Sequence, residues 1–151
     1  MINIDKFEVE FKTLQSYFPS GSYEYTDPNA SFSAITKAHF ENIAPPHYGV
    51  YVIRQHATRQ VIYIGKSGTI DPHGNFKSQD IPHRLQNVRE KRHGQCIFGK
   101  QWFSELVREV GPLSVEYVVL PQTYSPALAE TRLLQAYLNE HQKLPDKNKS
   151  L

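Results

Sequence analysis

Gly49-Val50-Tyr51-Val52-Ile53 and Val61-Ile62-Tyr63-Ile64-Gly65 are two β-rich runs joined by the polar stretch 55–60. Their alternation has a period of two, and together they predict an antiparallel hairpin. Tyr51 and Tyr63 share the parity of Gly49 and Gly65, while Val50, Val52, Ile62 and Ile64 take the other parity. The aliphatic side needs a core, which leaves two phenols side by side on the opposite face. Glycines flank both phenols and would let a ligand backbone approach closely. Two tyrosines on a hairpin are ordinarily just a cross-strand aromatic pair. Here Lys66 follows at once, and Ser67-Gly68 opens a loop.

Working downstream, the pattern predicts a basic helix over 81–93 that stops at Gly94, and a helix over 100–110 carrying Trp102, Phe103, Leu106 and Val107. Leu113 to Leu120 reads as a third strand. Ser125-Pro126 is a cap followed by proline at the first helical position, so a last helix starts there. It is expected to bury Leu128, Leu134, Tyr137 and Leu138, with Leu133 on its flank, and the tail after it is too polar for core. Upstream, Ile4, Phe7, Phe11, Leu14 and Phe18 recur at intervals of three and four, one face of a helix that Asn3 or Asp5 can cap. Pro19-Ser20-Gly21 ends it, and a second helix follows Asp27-Pro28. Pro45-Pro46 marks a boundary. The expected architecture is α/β of the α+β type: a three-stranded antiparallel sheet flanked by helices over 46–151, preceded by a helical accessory segment over 1–45.

The chain has 151 residues, 39% of them hydrophobic and 21% charged, enough for one core without staples. No apolar run approaches the roughly 18–20 residues of a membrane helix. The first residues lack a secretory profile, so an intracellular, cytoplasmic protein without a membrane partner is expected. One cysteine, Cys96, excludes an internal disulfide and a cysteine-rich zinc site. The net charge is only +2, but residues 1–45 carry three Lys against six acids, whereas Lys77, Arg84, Arg89, Lys91, Arg92 and Lys100 face only Asp80 and Glu90. A basic stretch of this kind suits a polyanion, and equally a solvated surface.

The two triplets, Gly49-Val50-Tyr51 and Tyr63-Ile64-Gly65, together resemble the signature of the GIY-YIG nuclease superfamily, with Val50 where the name has isoleucine. The resemblance continues in order through Arg84, through Glu130 in a helix similar to the family's metal-binding helix, and through Pro145-Asp146-Lys147-Asn148. It covers about residues 47–148.

The resemblance implies a metal-dependent endonuclease that hydrolyses phosphodiester bonds, with DNA favoured over RNA, by one-metal in-line attack of water. Glu130 is then the protein ligand of Mg²⁺, with Mn²⁺ as a substitute. Arg84 is the phosphate clamp. Tyr51 is the implied general base and Tyr63 positions water or a phosphate oxygen, although the two phenols can exchange roles. A free phenol, with pKa about 10, needs nearby positive charge for such work, and Lys66 and the metal are the implied sources. Lys66, Arg84, Arg89, Lys91, Arg92 and Asn148 are the expected nucleic-acid contacts. Val88 stands where many members carry His or Tyr, and neither His83 nor His93 has the spacing to replace it. An inert nucleic-acid-binding module of the same fold is the alternative. A single active site cuts one strand, so double-strand breaks would require a homodimer or two binding events.

Overall fold

The computed structural model describes residues 4–151. Its elements are α1 (Lys6–Tyr17), β1 (Ser20–Tyr25), α2 (Phe32–Glu41), β2 (Gly49–Gln55), β3 (Val61–Ser67), β4 (Thr69–Ile70), β5 (Phe76–Lys77), α3 (Ile81–Gln86), β6 (Val88–Arg92), β7 (Gln95–Phe98), α4 (Gly99–Val110), β8 (Leu113–Val119) and α5 (Pro126–His141). The main sheet is antiparallel with strand order β1-β8-β2-β3, and β4-β5 and β6-β7 form two separate ribbons. The fold is α+β, as expected.

The sheet has four strands, not three. Residues 20–25 supply the additional one, pairing along β8 from Ser20 opposite Val118 to Tyr25 opposite Leu113. The segment before Pro45 is therefore not wholly helical. Ser-Gly-Ser-Tyr-Glu-Tyr carries its own alternation: Ser20, Ser22 and Glu24 are exposed, while Tyr23 and Tyr25 turn inward. A Ser-Gly pair reads as a helix stop, and it masks a short edge strand whose inward residues are aromatic.

The basic helix expected over 81–93 ends after six residues, at Gln86. The chain then turns back as the β6–β7 ribbon. His93 and Gly94 both have positive φ, 49° and 80°, the conformation that a two-residue hairpin loop matching strand twist demands. Asn87 closes α3, and its side-chain oxygen accepts the Val88 N–H.

Helices cover both faces of the sheet. Val50, Val52, Ile64 and Val118 pack against Phe7, Phe11 and Leu14 of α1 and Leu133 and Tyr137 of α5. Tyr51, Ile53, Val115 and Tyr117 pack against α2, α3 and α4 through Phe32, Ile81, Leu85 and Phe103. The phenol face is thus a second core and not an open surface. On α5 the buried stripe is Ala129, Leu133, Leu134 and Tyr137, while Leu128 is exposed. Leu133, expected on the flank, lies at the centre of this i, i+4, i+8 stripe.

Caps fall where side-chain chemistry puts them. Asp5, Ser31 and Ser125 each accept the N–H three residues on; Asn3, the other expected cap of α1, lies outside the described residues. An ionic network holds α1 on the sheet. Arg54, 4% exposed on β2, donates to Glu8 of α1 and to Glu116 of β8, and Arg59 also bonds Glu116. No helix among the described residues is long and apolar enough to cross a membrane.

Candidate active site

The edge strand β3 organises the site. Tyr63 and Gly65 point to the α3–α4 side, and Ile64 and Lys66 to the α5 side. Groups from both layers therefore meet around one free strand edge. The Tyr51 and Tyr63 rings stack with centroids 6.0 Å apart and planes inclined by 26°. Gly65 lies opposite Tyr51 in the ladder. A Cβ at Gly65 would sit 2.5 Å from Tyr51 Cζ and 2.7 Å from Tyr63 Cε1. The sequence suggested that the glycine makes room for a ligand; here it makes room for the phenols themselves.

The two tyrosines are not equivalent. Tyr51 has no exposed surface. Tyr63 is half-buried and lines a cavity of about 570 Å³ together with Arg89, Trp102, Glu130 and Asn148. Burial pushes the Tyr63 phenol up to about 12, helped by the Tyr51 phenol and opposed by the Arg89 and Arg84 guanidiniums. At neutral pH it is a neutral donor and acceptor.

Arg89, the second residue of β6, sits under this pair. Its Nη1 donates to Tyr51 Oη at 2.7 Å and, more weakly, to the Arg84 carbonyl at 3.3 Å. Its guanidinium carbon lies 4.9 Å from the Tyr63 ring centroid and 5.0 Å from that of Trp102. The Nε is enclosed and has no hydrogen-bond partner. The sequence placed Arg89 on a basic helix and among the expected nucleic-acid contacts. Its interior position follows from the chain leaving the helix at Gln86, and no local pattern announced that.

Arg84 is on α3, and its Nη1 donates to the Val88 carbonyl at 2.8 Å, which ties the helix end to β6. Glu130 is on the second turn of α5. Burial raises its carboxyl above the ordinary carboxylate range, and Lys66 and Arg84 pull it back. Tyr63 in turn feels both Arg84 and Glu130. Tyr51, Tyr63, Lys66, Arg84 and Glu130, gathered from β2, β3, α3 and α5, are thus brought into one electrostatic neighbourhood.

Three other expected residues stand elsewhere or are already engaged. Both halves of the Asn148 side-chain amide are occupied: Oδ1 accepts the Ile64 N–H and Nδ2 donates to the Ile64 carbonyl, each at 2.9 Å. With the Lys147 N–H donating to the Ile62 carbonyl, the tail lies along the free edge of β3 and walls the cavity. Lys91 is exposed on the ribbon. Arg92 is held by Glu90 and Glu105. His83 is exposed and bonded to Asp80, and His93 occupies the ribbon turn.

A divalent ion can be tested against the donor set. Glu130 is a lone hard oxygen ligand whose charge is balanced only through space. Among the described residues, no group of three His, Cys, Asp or Glu converges. That suits an ion such as Mg²⁺, which keeps several waters and needs one carboxylate. It does not suit a closed zinc site, and Cys96 is a free, exposed thiol on the ribbon. No protein-family model, characterised protein or solved structure matches the chain.

Proposed function

We propose that this chain is a metal-dependent endonuclease of the GIY-YIG type, which hydrolyses phosphodiester bonds in DNA. The observation that carries the reading is that Tyr63 and Glu130, from β3 and α5, line one cavity, with Arg84 within electrostatic reach of both and Lys66 of Glu130. A purely binding surface has no use for a half-buried carboxylate facing phosphate. A conventional core, likewise, has no use for two guanidiniums around stacked phenols.

Glu130 would hold the metal, which supplies Lewis-acid neutralisation of the phosphate and a more acidic water. The remaining work falls to the chain's own groups. Arg84 and Lys66 bring fixed positive charge to the phosphate, the preorganised electrostatic stabilisation that needs no rearrangement during reaction. Tyr63 faces the cavity and so takes the position next to the attacking water, holding it through its neutral hydroxyl. Tyr51 has no surface through which a water can reach it. It acts through the geometry of Tyr63 and Arg89, and so does not take the general-base role that the resemblance implied for it. The Asn148 amide sets the tail against Ile64 and closes the cavity on one side.

The test is incubation with supercoiled plasmid at low salt, in Mg²⁺ or Mn²⁺ against EDTA, with Glu130→Gln and Tyr63→Phe in parallel. Metal-dependent nicking is expected, lost in Glu130→Gln and reduced about 10²–10³-fold in Tyr63→Phe. Absence of cleavage on plasmid, single-stranded, branched and RNA substrates, with salt-sensitive binding retained, would replace the enzyme by the inert binding module.

A further inference from the structure

Arg89 is a cation inside the protein without an anion. Its contacts are four aromatic rings, one phenol oxygen and one carbonyl. Of the carboxylates that line the same cavity, Glu90 pairs with Arg92 and Lys149, Asp146 lies beside Lys143, and Glu130 makes no ion pair with Arg89. Enclosing a charge without a counter-charge is costly. Ring faces and a phenol offset part of that cost, yet the Nε–H still has no partner. The residue also lines the cavity with Tyr63, Trp102, Lys147 and Lys149. Its Nη2 is bonded to neither Tyr51 nor the Arg84 carbonyl and, unlike Nε, is not enclosed, so a cation held at the base of the cavity keeps a donor for an anionic oxygen.

We infer that Arg89 is the base of an oxyanion-binding site, which takes a phosphate group into the cavity that Tyr63 and Trp102 line. This deepens the nuclease reading by giving the substrate a second phosphate contact, distinct from Arg84, and it rests on that reading only for the phosphate being part of a nucleic acid. Free phosphate, a mononucleotide and an internal phosphodiester share the same chemistry, and the site as such accepts all three. Glu130 lines the same cavity and its carboxylate opposes an anion there, so removing that carboxylate strengthens binding.

Trp102 is the only tryptophan in the chain, and the guanidinium lies over its ring, so its fluorescence reports this site directly. The experiment titrates potassium phosphate, a deoxynucleoside 5′-monophosphate and a short non-cleavable oligonucleotide against potassium chloride at equal ionic strength. It uses the whole chain as wild type, Arg89→Lys, Arg89→Met and Glu130→Gln, and reads Trp102 emission and the thermal midpoint without divalent metal. The wild type is expected to give a saturable change and an anion-dependent rise in midpoint. Arg89→Met should lose at least tenfold in affinity, Arg89→Lys several-fold because the fork is gone, and Glu130→Gln should gain several-fold. Tighter binding of the oligonucleotide than of the monophosphate identifies an internal phosphodiester as the ligand, and the reverse identifies a terminal phosphate. No saturable response in the wild type, or Arg89→Lys binding as the wild type does, overturns the site. If Arg89→Met fails to fold, the Arg89→Lys and Glu130→Gln comparisons decide alone. Plasmid cleavage is scored separately. Phosphate binding without cleavage would leave this site standing and remove the nuclease; cleavage with unchanged Arg89→Lys affinity would do the opposite.

Discussion

Replacing Gly65 with alanine places one methyl group against two aromatic rings. The new Cβ would lie 2.5 Å from Tyr51 Cζ, 2.6 Å from Tyr51 Oη and 2.7 Å from Tyr63 Cε1. Tyr51 cannot retreat: it is fully buried, and Arg89 holds its hydroxyl. Tyr63 is half-buried, with Trp102 edge-on at 6.0 Å on one side and the cavity on another, so its ring has some room to yield. Overpacking of a rigid core typically costs about 1–3 kcal/mol, and with the Tyr51 ring held in place the upper end, about 3 kcal/mol, is expected. For a domain of this size that corresponds to a fall in Tm of about 6–12 °C. Thermal and urea unfolding followed by circular dichroism measure it, with the urea slope expected to stay unchanged because the surface exposed on unfolding is unchanged. The steric attribution is checked in a Tyr51→Ala background, where the methyl group has space. There the Gly65→Ala cost should fall by more than half, a coupling of about 1.5 kcal/mol or more between residues in direct contact. An equal cost in both backgrounds would refute the argument, because the glycine would then be needed for its backbone and not for the rings.

Other outcomes follow from the same geometry. In Asn148→Ala the fully buried Ile64 loses both partners of its main-chain groups, which should cost about 1–3 kcal/mol and raise the hydrogen-exchange rate of the Ile64 amide. Burial pushes the Glu116 carboxyl up, but hydrogen bonds and charge from Arg59 and Arg54 hold it below the ordinary carboxylate range. Its stabilisation is therefore complete above the unfolded-state value of about 4.5 and lost as pH falls through the lower folded value. Unfolding midpoints from pH 7 to pH 3 should fall more steeply in the wild type than in Glu116→Gln. Glu130 shifts the other way: burial raises it and Lys66 opposes the rise. Lys66→Met should raise it further and move the acid limb of metal-dependent cleavage to higher pH, read from nicking rates across pH; an unmoved limb would exclude Glu130 as the group that titrates.

The hairpin, the last two helices and the α+β class were legible because each has a strong local cause: alternation, a Ser-Pro start, or a Gly-Pro stop. Tyr51, Tyr63, Lys66, Arg84 and Glu130 were singled out through their order along the chain and the family resemblance it carries, and the fold brings them within electrostatic reach of one another. What escaped has non-local causes. The strand at 20–25 is a strand because β8 offers it an edge, and its Ser-Gly start reads locally as a turn. The ribbon at 88–98 is equally hidden. Val88 to Arg92 is too polar and basic to show a strand alternation, and only the positive φ of His93 and Gly94 reverses the chain. Mistaking the ribbon for a helix places Arg89 on a solvated face, whereas it lies beneath the two tyrosines. The buried Arg54 was missed for a similar reason. Its partners, Glu8 and Glu116, are 46 and 62 residues away, and no window of sequence contains them.

β3 is one of the two edge strands of the sheet, and the candidate site gathers around it. An interior strand has neighbours on both sides, so groups above and below it are separated by hydrogen-bonded backbone. At an edge the two layers are separated only by the strand itself, and side chains from α5 can come within electrostatic reach of side chains from α3 and β6. A free edge also exposes unpaired main-chain groups. Here the tail covers them, with Lys147 and Asn148 bonded to Ile62 and Ile64, and in covering them it forms the far wall of the cavity. The segment that protects the sheet is thus also a part of the site. Lengthening or removing it should therefore change substrate affinity and β3 exchange protection together, whereas a tail that merely covered the edge would change protection alone.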